Sequence, residues 1–237
     1  MHKAGSTIAD KIFCKFISAK GMAIDRIAAS VPSSPLSERE VFINYQNSIK
    51  KTGFYYGIAR GTYVSELPVI KNLKTLVQVR DPRDCLTSAY FSFKISHRPP
   101  KNPDKLKQFM ERRSELENLD IDQYVLRSMK GYEYRMQILS NIIQDHDDIL
   151  VLKYEDMVLN TEKWLDDISK FLDQPITSKL RTQLADDIDF SVSSENINKH
   201  KRQVTPGDYL RKLKSQTIDK LNEGLRDPLN WFDYKII

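Results

Sequence analysis

Apolar residues near the start of the chain fall on a helical stripe. Ile8, Ile12, Phe13, Phe16 and Ile17 recur at three- and four-residue spacing between Ser6 and Lys20, and Gly21 stands where such a helix would be capped. Ser, Pro and charged residues from Pro32 to Glu40 predict a loop. Gly53 to Gly61, with Phe54, Tyr55 and Tyr56 between glycines, reads as a strand or an aromatic turn. The run Leu73 to Val79 is apolar and partly β-branched, and after Pro82 a helical pattern continues through Phe93, so strand, turn and helix are expected there. Pro99 to Pro103 forms a rigid break before a charged, surface-like helix over Asp104 to Leu116. Asp120 to Gln144 predicts a long amphipathic helix despite Gly131. Asp148 to Tyr154 predicts a second short buried strand, and Asn160 to Leu172 a helix with Trp164, Leu165, Ile168 and Phe171 on its inner face.

Strands alternating with helices favour an α/β fold, a central parallel sheet flanked by helices that binds ligands at the carboxyl ends of its strands. No repeat, low-complexity segment or linker interrupts the 237 residues, so one domain over 1–237 is expected. Hydrophobic residues make up 40% and charged residues 29%, which excludes disorder as the main state. The polar, basic stretch from Ser193 to Tyr209, holding His200, Lys201 and Arg202 before Pro206-Gly207, reads as a functional loop.

The formal net charge of +5 suits an anionic ligand, but it is too small and too scattered for nucleic acid. Cys14 and Cys85, each in an apolar run, fit buried packing in a reducing compartment better than a disulfide. No run approaches the roughly 20 apolar residues that cross a bilayer, and no leader pattern opens the chain; a cytoplasmic location is expected.

Two segments carry chemistry. His2-Lys3-Ala4-Gly5-Ser6-Thr7 sets a cation, a glycine and two hydroxyls immediately before a helix. Outward N–H groups and the helix macrodipole there favour an oxyanion, although Ser and Thr also begin helices that bind nothing. A Walker A loop is a poor match, since it needs an earlier glycine and places its Lys after the second one. The other segment is Arg80-Asp81-Pro82-Arg83-Asp84, directly after a strand, with Ser88 eight residues beyond Arg80. An Arg there presents a planar fork to a phosphate, and Ser88 adds a hydroxyl. The alternative is an Asp–Arg cluster that merely caps the helix.

Taken together these segments resemble the sulfotransferase family. Lys3-Ala4-Gly5-Ser6-Thr7 is similar to its 5′-phosphosulfate loop, usually Lys-Ser-Gly-Thr-Thr, and Arg80 with Ser88 matches its 3′-phosphate motif. Val151 to Met157 looks like the family's strand and Tyr-Glu-Asp segment, and Arg202 with Pro206-Gly207-Asp208-Tyr209 looks like its late phosphate-binding loop. The resemblance implies 3′-phosphoadenosine 5′-phosphosulfate as donor, a P-loop-like fold, no required metal, and a small-molecule, sugar or lipid acceptor. It also implies roles: Lys3 at the leaving phosphate oxygen; Ala4, Gly5, Ser6 and Thr7 around the phosphosulfate; Arg80, Ser88 and Arg202 at the 3′-phosphate; and Tyr154 in the nucleotide site.

The chain departs from the family pattern at several places. Ser65-Glu66-Leu67-Pro68 stands where many relatives carry Thr-His-Leu-Pro, which makes Glu66 the candidate base in place of a His; an exposed loop carboxylate is the bland alternative, and His2 and His97 are weaker candidates. Ile8 replaces a Trp that packs on adenine, leaving Phe190 as a candidate stacking partner, and Gln203 and Val204 stand where Lys-Gly is usual. The strand that normally feeds the first loop is expected to be missing. Rival readings are a degenerate nucleotide-binding module without turnover and a P-loop-like nucleotide kinase. Tyr55, Tyr56, Tyr63 and the stretch from Phe91 to His97 are candidates for an acceptor pocket or, equally, for core packing.

Overall fold

The computed structural model describes residues 2–190 and 204–236. The chain is mixed α/β, mostly helical with short parallel strands, and its residues group into two compact units, 1–79 with 143–191 and 80–142 with 192–237.

In the first unit the amphipathic stripe near the N-terminus becomes α1 (Ser6–Ala19). Next come β1 (Ala23–Ile24), α2 (Glu38–Tyr45), β2 (Phe54–Tyr55) and β3 (Thr75–Val79). In the second unit α3 (Pro82–Phe91) runs on into a π-helical turn over Ser92–Ser96, and α4 (Pro103–Glu117) follows. The long helix α5 (Ile121–Gln144) ends in the first unit, which then adds β4 (Ile149–Lys153), α6 (Tyr154–Leu159), α7 (Thr161–Leu172) and α8 (Ser178–Ile188). Three helices in the second unit complete the order: α9 (Asp208–Lys212), α10 (Ser215–Gly224) and α11 (Arg226–Trp231).

The expected single central sheet is not what the described residues form. They form two separate parallel pairs, β1 with β2 and β3 with β4, the latter in register from Thr75 opposite Ile149 to Val79 opposite Lys153. The first pair is only two residues a strand, with Gly53 and Gly57, both at positive φ, on either side of β2. The polar stretch expected to be a loop through Glu40 starts a helix instead. Ser37 Oγ accepts from the Glu40 amide while the Glu40 carboxylate accepts from the Ser37 amide, a reciprocal cap that nucleates α2. The boundaries of α1, β3, α3, α4, α5, β4 and α7 fall within a few residues of the sequence expectation, whereas β1, α8, α10 and α11 were not expected.

The core of the first unit lies where α1 meets α7 and α8. Ile12, Phe13, Phe16 and Ile17 of α1 are buried with Trp164, Leu165 and Ile168 of α7, Leu180 and Leu184 of α8 and Leu152 of β4. The Phe13 and Trp164 rings stack with centroids 5.9 Å apart. A smaller cluster of Ile27, Phe42, Tyr63 and Leu67 sits beneath α2. In the second unit Leu86, Val125, Met136, Leu221, Leu225 and Leu229 are buried, and the Tyr90 and Tyr124 rings lie 5.6 Å apart. Cys14 and Cys85 are buried free thiols, and burial pushes the Cys14 thiol up. Among the described residues no helix is long and apolar enough to cross a membrane.

Each fully buried aliphatic side chain contributes about 1.5–3 kcal/mol by leaving water. Leu165, wholly enclosed on α7, is the sharpest test of this core. Leu165→Ala is expected to destabilise the protein by about 2–5 kcal/mol, read as a lower urea midpoint with an unchanged slope.

Candidate functional site

The start of α1 is built differently from an ordinary helix cap. Gly5 occupies the N-cap position at φ 71°, and among the described residues no side chain caps the first turn. The Gly5 carbonyl accepts from the amides of Ile8 and Ala9 at 3.0 and 3.1 Å, which begins the helix. Lys3 is also left-handed, at φ 66°, so the backbone curls just ahead of the helix. Such curled backbone, followed by a free helix N-terminus, is a concavity suited to an oxyanion. Ala4 is wholly buried, Lys3, Gly5 and Ser6 are half-buried, and Thr7 is exposed. The plain Ser or Thr cap that the sequence left open is therefore not formed; Ser6 Oγ instead accepts from Arg60 Nε at 3.1 Å.

Gly5 cannot be any other residue without cost. A Cβ there would meet the Tyr154 ring at 2.6 Å and the Met157 methyl at 3.0 Å, and the backbone is already in the left-handed region. The first loop and the Tyr154-Glu155-Asp156-Met157 segment, distant in sequence, thus pack directly on each other. Tyr154 is 6% exposed and lies in the core cluster beneath the loop. Phe190 packs half-buried against that same cluster.

Arg60 reaches Ser6 from a frame set by Glu38. Glu38 Oε1 accepts from the Arg60 backbone amide at 3.2 Å and from the Tyr63 hydroxyl at 2.8 Å. Burial, and next the charge of Glu38, push the Tyr63 hydroxyl far up, so it stays protonated as a donor. Tyr63 and Tyr55 are in this way tied into the structure: Tyr63 lies in the small core, and the Tyr55 hydroxyl donates to Asp10 at 2.8 Å. Glu66, the candidate base, is exposed at the end of a short turn and is gripped by Arg39, whose Nε lies 3.0 Å from each carboxylate oxygen. The Arg39 hydrogen bonds hold the Glu66 carboxyl below its usual range. His2 is exposed, and His97 is exposed with its ring against Phe93 and Phe109.

The second segment, in the other unit, is a buried charge network. Asp81 caps α3 by accepting from the Arg83 amide at 2.9 Å and binds the same guanidinium through both carboxylate oxygens, at 3.0 and 2.6 Å. Arg83 also donates to Asn222 Oδ1 at 2.6 Å and to the Lys235 carbonyl at 2.9 Å, and it lies over the Tyr209 ring at 4.3 Å. Asp84, fully buried, joins Arg80 to the late Pro206-Gly207 turn. Its Oδ2 accepts from Arg80 Nη2 at 3.2 Å and from the Gly207 amide at 2.9 Å, and its Oδ1 accepts from the Tyr209 amide at 3.0 Å. The Arg80 motif and the late turn are therefore brought together, and the Asp–Arg cluster that caps the helix is formed, with Arg83 paired to the capping Asp81 and Arg80 held beside it at 5% exposure. Ser88 is half-buried on α3, and Arg202 lies outside the described residues.

A family model described as the sulfotransferase domain matches residues 63–222, more than half of the chain. The chain belongs to the sulfotransferase family. The matched stretch of this sulfotransferase takes in Glu66, Arg80, Ser88, Tyr154, Phe190 and Arg202, and it begins downstream of Lys3 to Thr7. No curated protein matches the chain. Sequence reasoning missed Arg60, Glu38 and the part played by Asp84. For Glu38 a signal existed, since Ser37-x-x-Glu40 marks a helix start and places Glu38 in its first turn.

Gly5→Ala is expected to cost at least about 1–2 kcal/mol through the left-handed backbone alone, with the Tyr154 collision adding to it. Chemical denaturation checks this; a variant as stable as the wild type would show that the loop can move away from Tyr154.

Proposed function

We propose that this sulfotransferase takes 3′-phosphoadenosine 5′-phosphosulfate as its donor and moves the sulfuryl group to a hydroxyl or amine of a small-molecule, sugar or lipid acceptor. The observation that carries the reading is the start of α1, where a left-handed Lys3 and Gly5 precede a helix N-terminus that no side chain caps. The family match supports sulfuryl transfer, and because it spans residues of both units it favours one catalytic domain over 1–237. The packing of the first loop on the segment after β4 favours a P-loop-like arrangement.

Bound at these residues, the donor would supply a sulfur whose bond to the phosphate oxygen breaks as the acceptor bonds to it and releases a proton. Lys3 is assigned to the negative charge that grows on the leaving oxygen, where a cation lowers the barrier more than it tightens ground-state binding. The Ala4 to Thr7 backbone and the Ser6 and Thr7 hydroxyls hold the phosphosulfate. Arg80, Ser88 and Arg202 are assigned to the 3′-phosphate, with Asp84 fixing the direction of the Arg80 guanidinium. Tyr154 supports the loop from below, and Phe190 is the candidate for stacking on adenine.

The test is equilibrium binding of the donor, followed by turnover with a panel of sugar, lipid and phenol acceptors. Lys3→Ala and Arg80→Ala are each expected to weaken binding tenfold or more, the loss of a charged hydrogen bond being about 1.5–3 kcal/mol. Adenosine 5′-phosphosulfate, which lacks the 3′-phosphate, is expected to bind the wild type more weakly and to be indifferent to Arg80→Ala. Preference for ATP with Mg²⁺ would overturn the reading in favour of a kinase, and donor binding without turnover would leave a binding module.

Glu66 is assigned the acceptor proton. Held low by Arg39, its carboxylate stays ionised through the neutral range, so turnover is expected to fall only at pH below the ordinary carboxylate range. Arg39→Ala should move that acid limb upward, and Glu66→Gln should slow transfer while leaving donor affinity intact. Unchanged turnover in Glu66→Gln removes it from the mechanism.

A further inference from the structure

One cation at the start of α1 lies outside the segments that resemble the family. Arg60 Nε donates to Ser6 Oγ at 3.1 Å, so the guanidinium stands at the N-terminus of α1. Among the described residues its two terminal nitrogens make no hydrogen bond, and the side chain enters no ion pair. Most of the other arginines named above are neutralised: Arg39 by Glu66, Arg83 by Asp81, Arg80 by Asp84. The acid nearest to Arg60 in its network, Glu38, takes the backbone amide of Arg60 rather than the guanidinium. The fork is thereby oriented by Ser6, its segment is held by Glu38, and its charge has no counterion among the described residues.

We infer that Arg60 binds the same oxyanion as the Lys3 to Thr7 loop, as a second cation on the 5′-phosphosulfate, and that Glu38 is its positioning residue. The inference rests on the donor reading above and deepens it. A planar guanidinium with both terminal nitrogens available matches two oxygens of a tetrahedral oxyanion, which a lysine ammonium does as a point charge only. Glu38 does its part through geometry: one carboxylate oxygen fixes the Arg60 amide and the Tyr63 hydroxyl together, and Tyr63 is anchored in the small core with Phe42.

The experiment is calorimetric binding of 3′-phosphoadenosine 5′-phosphosulfate and, as the control that lacks a 5′ group, adenosine 3′-monophosphate. Arg60→Ala is expected to weaken donor binding about 10- to 100-fold, the range for a lost charged hydrogen bond, while leaving the 3′-monophosphate unchanged. Arg60→Lys should recover part of the loss. Glu38→Ala should weaken the donor by a smaller factor, and Glu38→Gln, which keeps an acceptor oxygen, should restore it. Arg60→Gln serves if the alanine variant melts early. Donor affinity equal to that of the wild type in both Arg60→Ala and Arg60→Gln, or equal losses for the two ligands, would overturn the assignment of Arg60 and leave the donor reading standing. A wild type that binds no donor would overturn both.

Discussion

The contact between the Gly5 backbone and the Tyr154 ring is the constraint on which the first unit turns. A Cβ at Gly5 would come within 2.6 Å of that ring, so the loop ahead of α1 sits as close to the segment after β4 as a backbone can. That closeness sets the direction in which α1 leaves the loop. The helix must then lay Ile12, Phe13 and Phe16 on Trp164 and Leu165, which fixes its other end. The form of the helix start follows from the same contact, because the left-handed Gly5 that permits it carries no side chain with which to cap the first turn.

The second unit manages a different difficulty, which is charge without water. Arg83 is 1% exposed and Asp84 is not exposed at all, a placement tolerated only when every charged atom is matched. Asp81 meets Arg83 with both oxygens, and Asp84 spends its lone pairs on Arg80 and on two backbone amides of the late turn. One carboxylate thus determines both the pose of an arginine and the path of a loop more than a hundred residues away. Loss of that carboxylate would leave a buried guanidinium, the buried Tyr209 amide and the half-buried Gly207 amide to find other partners.

Much of this was legible in the sequence, and for local reasons. The stripe of α1, the apolar runs of β3 and β4 and the inner face of α7 are repeats of 3.6 or short apolar runs, which depend only on neighbours along the chain. That the Lys3 to Thr7 and Arg80 to Asp84 segments lead into α1 and α3 was legible for the same local reason. What escaped was decided by residues far apart. The pairing of Arg39 with Glu66 and of Arg60 with Ser6 joins positions 27 and 54 residues distant, and no periodicity announces either. The sheet is a related case: alternating strands and helices suggest one sheet, whereas which strands pair is decided by contacts between distant segments, and the described strands form two pairs. The start of α2, by contrast, is written locally in the sequence, in its Ser37 and Glu40 signature.

The contrast between hidden and open ion pairs divides how the molecule answers to salt. Mobile ions shorten electrostatic reach to about 8 Å near physiological strength, and they act where water can enter. Arg181 with Glu162 and Lys163 with Asp167 stand in the open and would fade as salt is added, whereas Arg83 with Asp81 lies beyond the reach of the ionic atmosphere. A concentrated electrolyte would therefore compete for any cation that faces solvent while the charged scaffold under α3 held its shape, so that ligand capture and structural integrity answer separately to one variable.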